Sequence, residues 1–304
     1  MQKILPLFLV LWIGVGFCKD FRLYYLGGQS NMDGDGDISD LPSDFLVPFS
    51  TVYIFHGNSS PDNVEVDGKG IWEQLKAGHG VGFSSDGFKN TLSKRFGVEL
   101  TFAQTLLKEY PGENIAIIKY SRGGSAIDQE AAGKFGCWEP DFYIGNHVNQ
   151  YDHFLATLRN AFVVEDIDQD GETDRLIPAA IIWMQGESDA VFTREIAERY
   201  EVNLKRLMDL FRAALRVDDL PIVIGQISDS GQDNKDGQVW DHIHIVTTAQ
   251  ASFVSKDIAA FLVTSTENYQ YSDPWHYDSA GYLDLGLKFG EAVLKFYRGS
   301  SPFK

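Results

Sequence analysis

Cysteine is nearly missing from this chain: two residues in 304, Cys18 and Cys137. If an N-terminal leader is removed after Cys18, only Cys137 is left, and one thiol cannot close an intramolecular disulfide. The mature fold must then hold itself by its core, which a chain of this size can do. Nothing around Cys137, in "KFGCWEP", suggests the cationic setting that makes a thiol reactive. Positive charge is also scarce. Lys and Arg number 26 against 43 Asp and Glu, a formal net charge of −17. Such a surface repels nucleic acid and anionic membranes, so neither is expected as a partner. Long apolar runs are absent beyond the first residues, and there is no internal repeat and no low-complexity linker. The exception, Ile4 to Phe17 behind Lys3, is short for a membrane span and suited to a signal-peptide core. Residues 1–18 are therefore expected to be a signal peptide cleaved near Cys18–Lys19. Residues 19–304 are expected to form a single domain, secreted or periplasmic and free of the membrane after cleavage. A lipoprotein anchor on Cys18 is disfavoured by Phe17 directly before it.

What is present is a run of strand and helix patterns in alternation. Five short β-rich stretches recur: "FRLYYL" (21–26), "NIAIIKY" (114–120), "AAIIWM" (179–184), "PIVIGQI" (221–227) and "AAFLVTS" (259–265). Most are continuously apolar, as parallel strands covered on both faces are. Helical periodicity runs through 98–110, 151–163, 194–216 and 279–297. The alternation predicts an α/β fold with a parallel five-stranded sheet. Residues 33–97 carry many Gly, Asp, Ser and Pro with sparse periodicity, and read as a long insertion expected to shape a site.

Chemistry gathers behind the strands. "GGQSN" with Ser30 follows the first, "SRGGSAI" with Gly123 and Gly124 the second, "WMQGESDA" with Gln185 starts at the end of the third, and "DPWH" with Asp273 and His276 follows the fifth. In a parallel sheet these segments emerge at one edge. A serine hydroxyl needs an imidazole to take its proton, and the imidazole needs a carboxylate to fix its tautomer. An oxyanion needs donors, for which the Ser30 N–H, a glycine N–H of the 123–124 pair and the Gln185 amide are candidates. Glu187 and Asp189 read as loop-bracing acceptors. His79 reads as a pocket-lining or loop residue.

"GQSNM", "RGGS", "WMQGESD" and "DPWH" together resemble the sequence blocks of the SGNH (GDSL-like) hydrolase superfamily. More narrowly they resemble the sialate O-acetylesterase and carbohydrate esterase family 6 group. The resemblance spans residues 21 to about 297. It implies a three-layer α/β/α flavodoxin-like fold, deacetylation of sugar hydroxyls on an acetylated carbohydrate, and no cofactor for catalysis. It also implies Ser30 as nucleophile, His276 as general base, Asp273 as its orienter, and Ser30, Gly123 and Gln185 around the oxyanion, with Gly124 the alternative glycine. One departure stands out. Many members have Ala-Gly-Arg after Gln-Ser-Asn-Met, whereas this chain has Asp33, Gly34 and Asp35.

A separate motif is "DIDQDGETD". Asp166, Asp168, Asp170 and Asp174, with Gly171 at the turn, match an EF-hand calcium loop, but Ile177 stands where the bidentate glutamate belongs. It is a candidate structural calcium site, and an ordinary acidic turn is the alternative. Two rival functions stay open at this point: an esterase acting on a non-sugar ester, and a non-catalytic, calcium-dependent glycan-binding protein.

Overall fold

The computed structural model describes residues 18–61, 64–143 and 148–299. The expected leader lies outside these residues apart from Cys18, which is exposed. No helix among the described residues is long and apolar enough to cross a membrane.

The central sheet has seven strands: β1 Asp20–Gly28, β2 Val52–His56, β3 Trp72–Gln74, β4 Ile115–Ser121, β5 Arg175–Met184, β6 Ile222–Gly225 and β7 Ala260–Val263. Their order is β7-β6-β5-β1-β4-β2-β3. All pairs are parallel except β2 with β3. Every residue of β4 is buried, as a strand covered on both faces must be. The helices that cover the sheet are α2 Glu99–Glu109, α3 Gln150–Phe162, α4 Arg194–Leu215, α5 Ile243–Lys256 and α6 Ser279–Gly299; one turn, α1 Ser30–Asp33, follows β1.

Adjacent residues of β1 show the three layers. Tyr24 turns to one face, where its ring meets Phe102 of α2 edge-on at 5.2 Å and its hydroxyl lies 3.1 Å from that of Tyr297 on α6. Tyr25 turns to the other, against Phe154 of α3 at 4.8 Å and Phe211 of α4 at 5.2 Å. Period-two alternation sends neighbours to opposite faces.

Two additions go beyond the five-strand expectation. β2 and β3 lie inside the region read as an irregular insertion. β2 is short and set among turn residues, and its pairing along β4 is a long-range contact that no local pattern reports. α5 was also not expected. Its sequence, "IHIVTTAQASFVSK", is rich in β-branched residues that weaken helix propensity. It forms because Ile243, Val246, Ala249, Gln250 and Phe253 share a buried face.

β4 also carries a lysine in its apolar run. Lys119 is fully buried, and its three ammonium protons have three acceptors: Glu99 Oε2 at 2.8 Å, Asp33 O at 2.8 Å and His79 O at 2.7 Å. Glu99 is equally buried and also accepts from the Gly97 amide. The ammonium thus joins α2, the end of α1 and the loop around His79. Removing one member of a buried pair strands the other charge. Lys119→Met is expected to lower unfolding free energy by about 3–5 kcal/mol in urea titration; a loss within about 0.5 kcal/mol, the range of ordinary surface changes, would show that the ammonium anchors nothing.

Candidate active site

The strand register brings the expected segments together. Gly28 pairs with Ser121 on one side and Met184 on the other, and Met184 with Gly225. The segments after β1, β4, β5 and β6 therefore leave the sheet at one level. The chain can turn out of β1 because residue 28 is glycine: φ is +147°, and a Cβ there would lie 1.9 Å from the Met184 carbonyl oxygen. The Gln29 amide then donates to that oxygen at 2.9 Å. Ser30 follows as the first residue of α1, partly exposed. Its N–H belongs to the first turn of a helix, where amides have no intrahelical acceptor.

His276 and Asp273 form a pair. His276 Nδ1 meets Asp273 Oδ2 at 2.7 Å, a contact in which Nδ1–H donates, because a carboxylate oxygen accepts. The other carboxylate oxygen accepts the Trp275 and His276 amides at 2.7 and 2.8 Å. Partial burial opposes charge on Asp273, but these hydrogen bonds hold its carboxyl below the usual range.

Asn31 carries this loop to Ser30. Its side-chain amide donates to Trp275 O at 3.1 Å and to Glu187 Oε1 at 2.8 Å. Its oxygen accepts from the Tyr277 amide and the Tyr282 hydroxyl. The residues on both sides of His276 are thus bonded to the residue after Ser30. On the far side of Ser30, Gln29 Oε1 faces the Gly186 and Ser188 amides at 3.4 and 3.3 Å.

The two glycines after β4 separate in role. A Cβ on Gly123 would lie 3.4 Å from Ser30 Cβ, so this backbone lies against the serine. Gly124 has φ +73° and packs under the Phe135 ring.

Gln185 corrects an expectation. Its amide group is fully buried and donates to Ser125 O at 3.2 Å and Asp189 Oδ2 at 2.6 Å. Its carbonyl oxygen accepts from the Tyr200 hydroxyl at 3.1 Å. Both amide protons are engaged inside the protein, so the side chain braces the loop holding Gly123 and offers no free donor.

The sequence profile of the family described as carbohydrate esterase, sialic acid-specific acetylesterase matches residues 20–295. The chain belongs to that family. No curated protein matches the sequence. Among solved structures, a protein from Arabidopsis thaliana is similar at TM-score 0.61 and 21% identity, over 90% of this chain and 98% of that one. A carbohydrate acetylesterase from Xanthomonas citri is similar at TM-score 0.60 and 18% identity, over 91% of this chain and 57% of that one. NanS is similar at TM-score 0.59 and 17% identity, over 93% and 99%. At these identities the likeness is one of fold.

The remaining polar residues of this carbohydrate O-acetylesterase are mostly braces. Asp189 accepts from the Ile127 and Asp128 amides as well as from Gln185. His79 is buried beside Phe83 and His56, and its carbonyl holds Lys119. Burial pushes the Cys137 thiol well above its usual range, which leaves it inert. The acidic loop precedes β5 and so lies toward the sheet edge opposite Ser30. Oxygens of Asp166, Asp168 and Asp174 lie within 4.8 Å of one another. Asp170 lies outside this group, and its Oδ2 and that of Asp168 both pair with Lys19. The four-ligand set expected from spacing is therefore a group of three beside a lysine.

Sequence reasoning passed over Asn31, Glu99 and Lys119. A lysine inside "NIAIIKY" was the available signal, because a buried charge needs a partner.

Asp189 makes stability depend on pH. Burial, only partly offset by its three donors, raises its carboxyl from 3.8 to about 6. The folded state then holds a proton that the unfolded chain has lost. This contribution is full below pH ~4 and fades as pH rises through about 6, with an upper size of about 3 kcal/mol for two units. Relative to Asp189→Asn, the parent should lose unfolding free energy between pH 4.5 and 7 in urea titration. Parallel curves for the two proteins would mean that Asp189 titrates normally.

Proposed function

We propose that this esterase removes acetyl groups from carbohydrate hydroxyls through an acetyl-enzyme on Ser30. Ser30 Oγ attacks the acetyl carbonyl while His276 Nε2 takes its proton. Asp273 holds the ring tautomer and faces the imidazolium that forms. The tetrahedral oxyanion is received by the Ser30 amide and the amide of Gly123, whose backbone lies against the serine. Collapse breaks the bond to the sugar oxygen, which leaves with the proton from His276. Water, deprotonated by the same ring, then releases acetate. The observation that carries this reading is the tether from Asn31, the residue after Ser30, to both neighbours of His276, whose ring bonds Asp273. Export follows from the leader pattern of residues 1–18.

Ser30→Ala is expected to lose on the order of 10³-fold or more in kcat on a chromogenic acetate ester, with the fold kept. His276→Ala should match it, and the double variant should be little worse than either. Activity within tenfold of the parent in Ser30→Ala would overturn the assignment, as would the full inactivity of the parent, which a glycan-binding protein would show.

A sugar substrate is supported by Trp275. Its ring is 51% exposed and centred 6.5 Å from that of His276. Its backbone is pinned at both ends, by Asp273 at the amide and Asn31 at the carbonyl. An exposed indole beside the imidazole suits the apolar C–H face of a pyranose. Trp275→Ala should raise KM for an acetylated oligosaccharide about two- to tenfold, in the range of one lost aromatic stacking contact, and leave the small chromogenic ester nearly unaffected. Equal losses on both substrates would place Trp275 in support of the catalytic loop instead.

A further inference from the structure

We propose that Asp35 is a second carboxylate serving His276, a positioning residue whose charge stabilises the imidazolium and whose strength is set by Arg95. This rests on the reading of His276 as general base. Asp35 Oδ2 lies 3.7 Å from His276 Nδ1. That is too long for a hydrogen bond and short enough for a strong charge interaction. The hydrogen bond itself belongs to Asp273, so the two acids divide the work: Asp273 orients the ring and Asp35 adds field.

Asp35 is held for this. Arg95 Nε lies 3.3 Å from its Oδ1, and Arg95 Nη1 donates to its backbone carbonyl at 3.0 Å. Arg95 also reaches Asp37 Oδ2 at 3.7 Å. Side chains of His276 and Asp35 are each about four-fifths buried, which limits screening. The charged groups that interact with the imidazole are Asp273 on its own loop, Asp35 after α1 and the buried Glu187 from the loop after β5. Arg95 is the cation attached to this set, and it acts through Asp35.

The sign follows from the charges. A nearby anion favours the charged ring, so it raises the pH at which His276 becomes a competent base. Removing Asp35 should lower that pH. Removing Arg95 should unmask Asp35 and raise it. The test is kcat/KM on a chromogenic acetate ester from pH 5 to 9 for the parent, Asp35→Asn, Arg95→Gln and His276→Ala, because this profile reports the free enzyme. The acid-limb midpoint should fall by about half to one pH unit in Asp35→Asn and rise by a smaller amount in Arg95→Gln. A purely structural role would lower rates without moving the midpoints in opposite directions. Unmoved midpoints in both active variants, with His276→Ala inactive, would overturn this proposal alone. A His276→Ala variant with the parental profile would overturn the base assignment on which it stands. Should Asp35→Asn fail to fold, Arg95→Gln still decides, since only an upward shift supports the proposal.

Discussion

One amide side chain holds the working parts of this protein in relation to one another. Asn31 has two donors and two acceptor positions, and all four are used: Glu187 and Trp275 receive its protons, and Tyr277 and Tyr282 supply theirs. Those partners come from the loop after β5, the loop carrying His276, and α6. The nucleophile turn, the base and the helical layer behind them therefore share a single node. A buried amide left half-satisfied would be costly, so the node has one low-energy arrangement. That arrangement ties the residues on both sides of His276 to the residue after Ser30.

The same logic extends outward from the node. Parallel strands end at one level and leave loops with unpaired polar groups. Buried side chains meet that demand here. Lys119 and Glu99 join the underside of α1 to α2. Gln185 and Asp189 join the glycine loop to the end of β5. Each brace is fully buried, and each serves the backbone rather than the substrate. The outer edge is different. Asp273, His276, Asp35 and Trp275 stay partly open, where an acetylated sugar can approach. Rigid support below and open side chains above suit an esterase, whose site must be held in place by its surroundings.

The alternation of apolar runs with helical patterns was readable because each depends on its own residues: "NIAIIKY" is a buried strand wherever it is placed. "VYIFH" was not readable, because its strand exists only beside β4. α5 was masked by β-branched residues and became visible only through the face it buries. At the site, Ser30, Gly123, Asp273 and His276 could be singled out as candidates in advance, since each stands after a strand and is of a residue type that suits the chemistry. Gln185 was assigned a donor role because an amide stood in a suitable position. Which way that amide points is decided by Ser125, Asp189 and Tyr200, all distant or not obviously linked in the chain.

The sequence by itself determined the layer plan and the sheet edge at which its candidate serine, histidine and aspartate collect. These follow from local periodicity and from motif blocks that keep their order. Only the tertiary structure decided that Asn31 is the node, that Lys119 has three acceptors, that Asp170 turns to Lys19, and that Asp35 and Arg95 stand behind the imidazole. The reason is distance along the chain. Lys119 and Glu99 are 20 residues apart, Asn31 and Trp275 are 244 apart, and hydrogen bonds over such separations are chosen by packing, not by neighbours in sequence.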